Sequence, residues 1–232
     1  MTDNGTPAQA YLGVSSSITG RPWRGPTAVE DRAAEALVQS TWLPLPVARV
    51  LAHRGIAPDE AESFLNPTLR DLLPDPQTLR DMGKAAERIL KAVKAGERIA
   101  VFADYDVDGA TSGALLHLWL RDMGREATLY VPDRIDEGYG PNEPAMAALA
   151  KDHSLIVCVD CGTLSHGPIA AAKGADVVVL DHHLGGETLP PAHAVVNPNR
   201  QDESGDLGHL CAAGVVFLAL VEANRQLRAA GE

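Results

Sequence analysis

The sequence has few aromatic residues and few cysteines, and each shortage excludes a class of protein. Aromatic residues occupy only 4% of the 232 positions whereas apolar residues occupy 45%, so the core is built mainly from aliphatic side chains. The three cysteines, Cys158, Cys161 and Cys211, are too few for a disulfide framework. We therefore expect a protein of a reducing compartment that is large enough for one α/β domain and an extension.

Positive charge and long apolar runs are also scarce. A formal net charge of −11 argues against a protein that coats nucleic acid unspecifically, although a local basic groove or a metal-bridged phosphate contact stays open. No apolar run approaches the length of a membrane span, and the first ten residues lack the basic and apolar regions of a signal peptide. We expect a cytoplasmic protein without a membrane partner.

The pattern along the chain predicts three segments. Residues 1–28 are rich in Gly, Pro, Ser and Thr, which is typical of a disordered extension. Residues 29–96 have helical apolar spacing and predict a helical N-terminal segment, whose last helix runs from Met82 to Ala95. On that helix Lys84, Arg88 and Lys91 form a basic stripe that favours a solvated face. Residues 97–232 predict the main domain.

In the main domain, continuously apolar strands alternate with helices. Runs such as RIAVFA, SLIVCV and DVVVL are buried-strand patterns, and each is followed by a helical segment. This alternation predicts an α/β fold in which a parallel sheet carries helices on both faces.

Charged and imidazole side chains collect where three of these strands end. The residues concerned are Asp104, Asp106 and Asp108 after the first strand, Asp160 after the third, and Asp181, His182 and His183 after the fourth. The carboxyl ends of parallel strands share one edge of a sheet, which is where open α/β folds bind ligands. Converging carboxylates repel one another, and oxygen ligands with some imidazole suit Mn²⁺ or Mg²⁺. The sequence therefore predicts a metal site that could hold two ions.

Ordinary explanations exist for each residue taken singly. An Asp after a strand is commonly a turn former or a helix N-cap, which would suit Asp108, and His182 alone would pass as a loop histidine. The Cys158–Cys161 pair could be a redox or zinc motif, but Cys158 falls within a strand and further ligands are few. The combination of three polar strand ends favours the metal site.

Three stretches resemble, in order, the motifs of the DHH phosphoesterase superfamily: ADYDVDGATS, VCVDCGT and VLDHH. Five more resemble RecJ-type single-strand-specific DNA exonucleases, namely VARVLAHRGI, ESFLNPTLRDLLPDP, VPDRIDEGYG, LPPAHAVVNPNR and LCAAGVVF. The resemblance runs from about Leu43 to the last residue. It implies that residues 97–232 form a DHH domain, preceded by the helical segment.

The resemblance also implies roles for individual residues. Asp106, Asp108, Asp160 and His182 would be catalytic ligands of two divalent cations, Mn²⁺ or Mg²⁺, with Asp160 bridging both. Asp104, the first acid of its motif, would ligate or support the ions. Catalytic His183 would contact the scissile phosphate. The substrate path would be lined by Arg134, Gly138 and Tyr139.

The implied function is a metal-dependent single-stranded DNA exonuclease of DNA repair and recombination. It would release nucleoside monophosphates in the five-prime to three-prime direction, with a single-strand-binding protein or a helicase as candidate partners. Small-substrate relatives, of the nanoRNase or pyrophosphatase type, stay open, although Phe102 stands where such pyrophosphatases have a histidine. A non-catalytic RecJ-like scaffold also stays open. RecJ-type proteins carry a further motif Asp and further domains, so we expect this chain to be truncated at its C-terminus and to cut DNA poorly alone.

Overall fold

The computed structural model describes residues 10–232, which divide into two compact units with the division between Leu73 and Pro74. The disorder predicted for residues 1–28 stays a prediction, because residues 1–9 lie outside the described residues. The described part of that segment holds a 3₁₀ helix, Tyr11–Gly13, and backbone hydrogen bonds between its two ends. No helix of residues 10–232 is long and apolar enough to cross a membrane.

The first unit is helical, as predicted. Its helices are α1 (Ala28–Thr41), α2 (Leu45–His53), α3 (Ala61–Leu65) and α4 (Leu69–Leu72). Helix α1 begins with a capping box, in which the Thr27 side chain accepts from the Glu30 N–H and Glu30 accepts from the Thr27 N–H. Its small core includes Leu37 and Leu51, so few apolar contacts hold this unit together.

The second unit is a five-stranded parallel sheet with helices on both faces, which confirms the predicted fold class. In chain order its elements are α5 (Met82–Ala95), β1 (Ile99–Ala103), α6 (Val107–Asp122), β2 (Ala127–Tyr130), α7 (Glu143–Asp152), β3 (Leu155–Val159), α8 (His166–Ala171), β4 (Asp176–Leu180), β5 (Ala194–Val196) and α9 (Ala212–Ala229). The strand order is β2-β1-β3-β4-β5.

Two apolar clusters sandwich the sheet and explain why its central strands read as continuous apolar runs. Along β1, Val101 packs into the cluster shared with α5, α6 and α9, whereas Phe102 packs into the opposite cluster beside α7. Because successive side chains of a strand point to opposite faces, burying both faces requires apolar residues at every position.

The last helix of the predicted segment of residues 29–96 packs with the predicted domain of residues 97–232, and the bounds of the two segments stay predictions. Helix α5 has the predicted bounds but belongs to the second unit. Its buried side chains, including Met82, Ile89 and Val93, share a cluster with residues of β1 and β3. An amphipathic helix next to a sheet buries its apolar stripe there, which linear apolar spacing cannot reveal.

Candidate metal centre

Three acids lie side by side at the carboxyl edge of the sheet. The register pairs Ala103 of β1 with Val159 of β3, and Val159 with Leu180 of β4. The next residue on each strand is an aspartate, so that Asp104, Asp160 and Asp181 follow three neighbouring strands at one level. Their exposed fractions are 3%, 1% and 1%. The fold thus buries three carboxyl groups at one edge.

Asp106 is the N-cap of helix α6. Its carboxylate accepts hydrogen bonds from the backbone N–H groups of Asp108, at 2.8 Å, and Gly109, at 3.0 Å. The bond from Gly109 is the main reason why the pKa of Asp106 lies below its usual value. A Cβ at position 109 would overlap the backbone carbonyl of Asp104. Gly109 therefore lets the first turn of α6 approach the end of β1.

Asp108 caps a different helix from its own. Its Oδ2 accepts from the N–H of Ala212 and its Oδ1 from the N–H of Ala213, both at 2.8 Å. These N–H groups open helix α9, whose N-cap residue, Cys211, makes no side-chain capping bond. Asp108 therefore joins α9 to the strand-end cluster, because a carboxylate is stabilised by the positive end of a helix.

Asp160 has the least favourable surroundings of the cluster. Its backbone is left-handed, with φ of +60°, which is uncommon for a residue other than glycine. Within residues 10–232, its Oδ1 and the Oδ1 of Asp104 are buried without a hydrogen-bond partner. Burial, and then the negative charges of Asp108 and Asp106, raise the pKa of Asp160 to about 8. Burial likewise raises the pKa of Asp104.

The two histidines face this cluster differently. His182 Nε2 lies 3.4 Å from Oδ1 of Asp160 and 3.6 Å from Oδ2 of Asp108. His183 Nδ1 lies 2.7 Å from Oδ1 of Asp181, and its ring nitrogens lie 3.1 Å from the hydroxyl of Tyr139. Two imidazoles therefore reach the cluster from adjacent positions, one toward the acids after β1 and β3, and the other between Asp181 and a tyrosine.

Asp181 organises the loop that carries both histidines. It also accepts from the backbone N–H groups of His182, His183 and Thr163. Burial alone would raise the pKa of Asp181, but the hydrogen bonds from His183 and Thr163 lower it to about 2. The bond to Asp181 in turn raises the pKa of His183.

Residues that sequence reasoning did not assign hold the histidine backbone from the other side. Asn197 donates from Nδ2 to the His183 carbonyl at 2.8 Å and to Oγ1 of Thr163 at 2.7 Å. Asn199 donates to the His182 carbonyl at 2.5 Å. The signal in the sequence is the NPN that follows β5, where two amide side chains come directly after a buried strand.

The predicted substrate residues lie beside the acids, on the loop after β2. The guanidinium of Arg134 lies 5.3 Å from the ring centroid of Tyr105, the residue after Asp104. Gly138 has φ of +83°, and Tyr139 is exposed, with its hydroxyl 3.2 Å from the Asp160 carbonyl oxygen. Their roles stay predictions, but the structure brings them to the acidic edge.

The donor set fits divalent cations. Ligand atoms of Asp104, Asp106 and Asp160 lie within 4.8 Å of one another, and so do those of Asp160, His182 and His183. Asp160 belongs to both sets. A cation would neutralise the unpartnered buried oxygens, and mixed carboxylate and imidazole ligands suit Mn²⁺ or Mg²⁺. The structure thus brings these five side chains together and places Asp108 beside His182, outside both sets, whereas the ligand roles stay predictions.

The Cys158–Cys161 pair, for which the sequence did not favour a redox role, is inaccessible in the structure. Cys158 lies within β3, and both Cys158 and Cys161 are completely buried. Burial raises the pKa of both thiols, so neither has the exposed thiolate that redox chemistry needs.

Residues 98–231 match the DHH family, N-terminal domain. The chain belongs to the DHH family. It is also similar to the single-stranded-DNA-specific exonucleases RecJ of Dickeya dadantii, with 41% identity over 82% of this chain and 33% of that protein, and of Bacillus subtilis, with 36% identity over 81% of this chain and 24% of that protein. The chain thus spans about a quarter to a third of the length of these relatives.

Solved structures agree with this assignment. The crystal structure of RecJ from Thermus thermophilus in complex with Mn²⁺ matches with a TM-score of 0.67 and 28% identity, over 85% of this chain and 28% of that one. A crystal structure of exonuclease RecJ bound to manganese matches with a TM-score of 0.59 and 33% identity, over 64% of this chain and 38% of that one. The DHH fold predicted from the sequence is confirmed.

Proposed function

We propose that this DHH domain is the catalytic part of a metal-dependent exonuclease that hydrolyses single-stranded DNA. The observation that carries the proposal is the edge cluster around Asp160, where a buried carboxylate oxygen has no hydrogen-bond partner among the described residues. An unpartnered buried charge is costly unless a cation compensates it. The similarity to RecJ proteins supports single-stranded DNA as the substrate.

Two divalent cations, Mn²⁺ or Mg²⁺, would be held by Asp104, Asp106, Asp108, Asp160 and His182. When bound, such ions supply activation of a water molecule and neutralise charge on the reacting phosphate. Asp160 would be a ligand of both ions, because it belongs to both ligand sets. Asp108 keeps lone pairs for a metal while it accepts the two N–H groups of α9, since a carboxylate has about four acceptor sites.

His183 is the proposed contact to the scissile phosphate. Its Nδ1 is held by Asp181, which orients the ring and favours the protonated imidazole. A protonated imidazole would donate to a phosphate oxygen and offset its negative charge. Arg134 and Tyr139 would flank the strand on the exposed side, where a guanidinium can pair with phosphate.

Two measurements on one preparation of the protein test the proposal. Titration calorimetry with Mn²⁺ measures binding directly, and release of nucleoside monophosphates from end-labelled single-stranded DNA measures turnover. We expect Mn²⁺ binding, and release that is slow for this chain alone, depends on Mn²⁺ and begins at the five-prime end. Faster hydrolysis of pyrophosphate or of dinucleotides than of single-stranded DNA would favour the small-substrate alternatives instead.

A matched pair of histidine variants locates the activity. His182→Gln should weaken Mn²⁺ binding and turnover together, because it removes an imidazole that faces Asp160 and Asp108. His193→Gln is the control, since His193 directly precedes β5 at the opposite edge of the sheet. Equal Mn²⁺ affinity in the two variants would contradict the proposed site.

A role in DNA repair and recombination, a cytoplasmic location, and partnership with a single-strand-binding protein or a helicase belong to this proposal as its biological context. The similarity to RecJ proteins supports the context through their stated specificity for single-stranded DNA. Pull-down with a single-strand-binding protein, with and without DNA, tests the partner directly.

A further inference from the structure

The first unit contains a basic and aromatic pocket of its own. The pocket has a volume of about 450 Å³. The side chains that line it include Tyr11, Arg24, Arg49, His53 and Arg54. Three guanidiniums and an imidazole around one pocket are unexpected in a chain whose formal net charge is −11.

The acids near this pocket are already engaged. Asp31 pairs with Arg49 at 3.3 Å, and Glu30 holds both the Thr27 N–H and Nδ1 of His53. Within residues 10–232, neither Arg24 nor Arg54 forms an ion pair with a carboxylate. Two exposed guanidiniums thus keep their donors for a ligand, and a guanidinium suits the paired oxygens of a phosphate.

The aromatic ring of Tyr11 lines the pocket beside these arginines. Tyr11 and Trp23 are 42% and 49% exposed, and a backbone hydrogen bond of 2.9 Å joins the Tyr11 N–H to the Trp23 carbonyl. The Tyr11 ring lies so close to Gly25 that a Cβ at that position would overlap it. The Tyr11 ring therefore packs against the backbone of Gly25, and part of the ring surface is exposed to solvent.

We propose that this pocket, which we call the arginine–tyrosine pocket, binds single-stranded DNA independently of metal. Phosphates would pair with Arg24 and Arg54, and an unpaired base would stack on Tyr11. Basic side chains beside an exposed aromatic ring are the combination with which proteins hold single strands without reading sequence. The substrate class rests on the proposed function, whereas the binding itself does not require cleavage.

The experiment measures fluorescence anisotropy of labelled oligothymidine with the full chain in EDTA, which removes metal from the acidic cluster. The double variant Arg24→Gln/Arg54→Gln should weaken binding about tenfold, because two phosphate contacts are lost. It should also reduce the slope of log affinity against log salt by about 1.4, at roughly 0.7 for each contact on a single strand. Tyr11→Leu should weaken binding by a similar factor but leave the salt slope unchanged.

The control is Arg32→Gln/Arg70→Gln, which removes the same charge from exposed positions of the same unit outside the pocket. The proposal is overturned if the two double variants bind alike, or if the unmodified protein does not bind oligothymidine in EDTA. Equally tight binding of duplex DNA would also overturn it, as would equal competition by polyglutamate, which would mark a surface for acidic peptides.

Failure of the proposed function has a different signature. Without nuclease activity, Mn²⁺ would release no mononucleotides, yet the pocket variants would still differ from their control in EDTA. Conversely, an active nuclease whose binding in EDTA is insensitive to Arg24 and Arg54 would leave the function standing and remove this inference.

Discussion

The two edges of the sheet both carry buried charge, but they differ in how far the chain itself compensates it. At the amino edge, Arg88 is 6% exposed and pairs with Asp176 at 2.6 Å, with Glu97 at 2.7 Å and with the Ser154 carbonyl at 3.2 Å, so that only its Nη1 has no partner among the described residues. At the carboxyl edge, Asp104 and Asp160 are as buried, yet each has an oxygen without a partner among the described residues. The same sheet thus supplies a cation at one edge and leaves a place for one at the other.

This difference separates a structural ion-pair network from a functional site. A network that holds a fold together satisfies its charges within the chain, because an unpaired buried charge costs several kcal/mol. A site that takes an exogenous cation must leave its acids unsatisfied until the ion arrives. Substitutions at the two edges should therefore differ in their effects, and the largest effects are expected where a buried charge is changed.

Replacing Asp160 by alanine should have the largest effect on function. Loss of a residue that supports ligands typically costs 10–100-fold, so loss of a bridging ligand should lower turnover by more than about 100-fold and abolish tight Mn²⁺ binding. The measurements are release of mononucleotides and Mn²⁺ calorimetry. Asp122→Asn, at the far end of α6, is the control. Near-normal turnover of Asp160→Ala would remove Asp160 from the site.

Replacing Arg88 by methionine should have the largest effect on stability. It leaves Glu97 and the half-exposed Asp176 without their counter-charge, which we expect to cost about 2 kcal/mol of unfolding free energy. The melting temperature should fall by roughly 6 °C for a domain of this size, with activity per folded molecule unchanged. Lys91→Met, on the exposed face of the same helix, should change the melting temperature little. A Tm equal to that of the unmodified protein would show that the network contributes nothing.

Without metal, Asp160 should make the protein less stable as the pH rises, which is the opposite of the usual effect of an aspartate. Its pKa is about 8 in the fold and near 3.9 in the unfolded chain, so the folded state holds the proton over that range. Stability therefore falls as the pH rises from about 4 to 8. Asp160→Asn should remove this loss, and raise the melting temperature in EDTA by several degrees at pH 8 but hardly at pH 4. A gain that is equal at both pH values would contradict the raised pKa.

Removing the Tyr139 hydroxyl should have the smallest effect. Tyr139→Phe keeps the ring but loses the contacts with His183 and with the Asp160 carbonyl. We expect turnover to fall about fivefold, in proportion to one hydrogen bond of about 1 kcal/mol, with Mn²⁺ affinity unchanged. A loss of Mn²⁺ affinity would instead assign Tyr139 to the positioning of the metal ligands.

Sequence reasoning reached the elements of the sheet and the convergence of its acids, because both follow from local patterns. Apolar runs fix the strands, and parallel strands place the residues that follow them on one edge. Long-range pairings were not accessible in this way. Arg88 was expected on a solvated face, which was wrong, since its partner Asp176 is 88 residues away in the chain.

Asp108 shows the same limit within the site. Turn chemistry suggested an N-cap, but the helix that it caps begins 104 residues later, at Ala212. Spacing along a chain predicts which residues share an element, whereas a contact between distant elements depends on packing that a single sequence does not display. The roles of Asn197 and Asn199 were missed for this reason as well.

Gly109 is the position at which residues 104–109 tolerate substitution least. The acids around it are defined by chemistry, and a different oxygen ligand could in principle take the place of any one of them. Position 109 is defined by space, because even a methyl group would meet the carbonyl of Asp104. In a library randomised across residues 104–109, we therefore expect several solutions at the acidic positions and only glycine at the last.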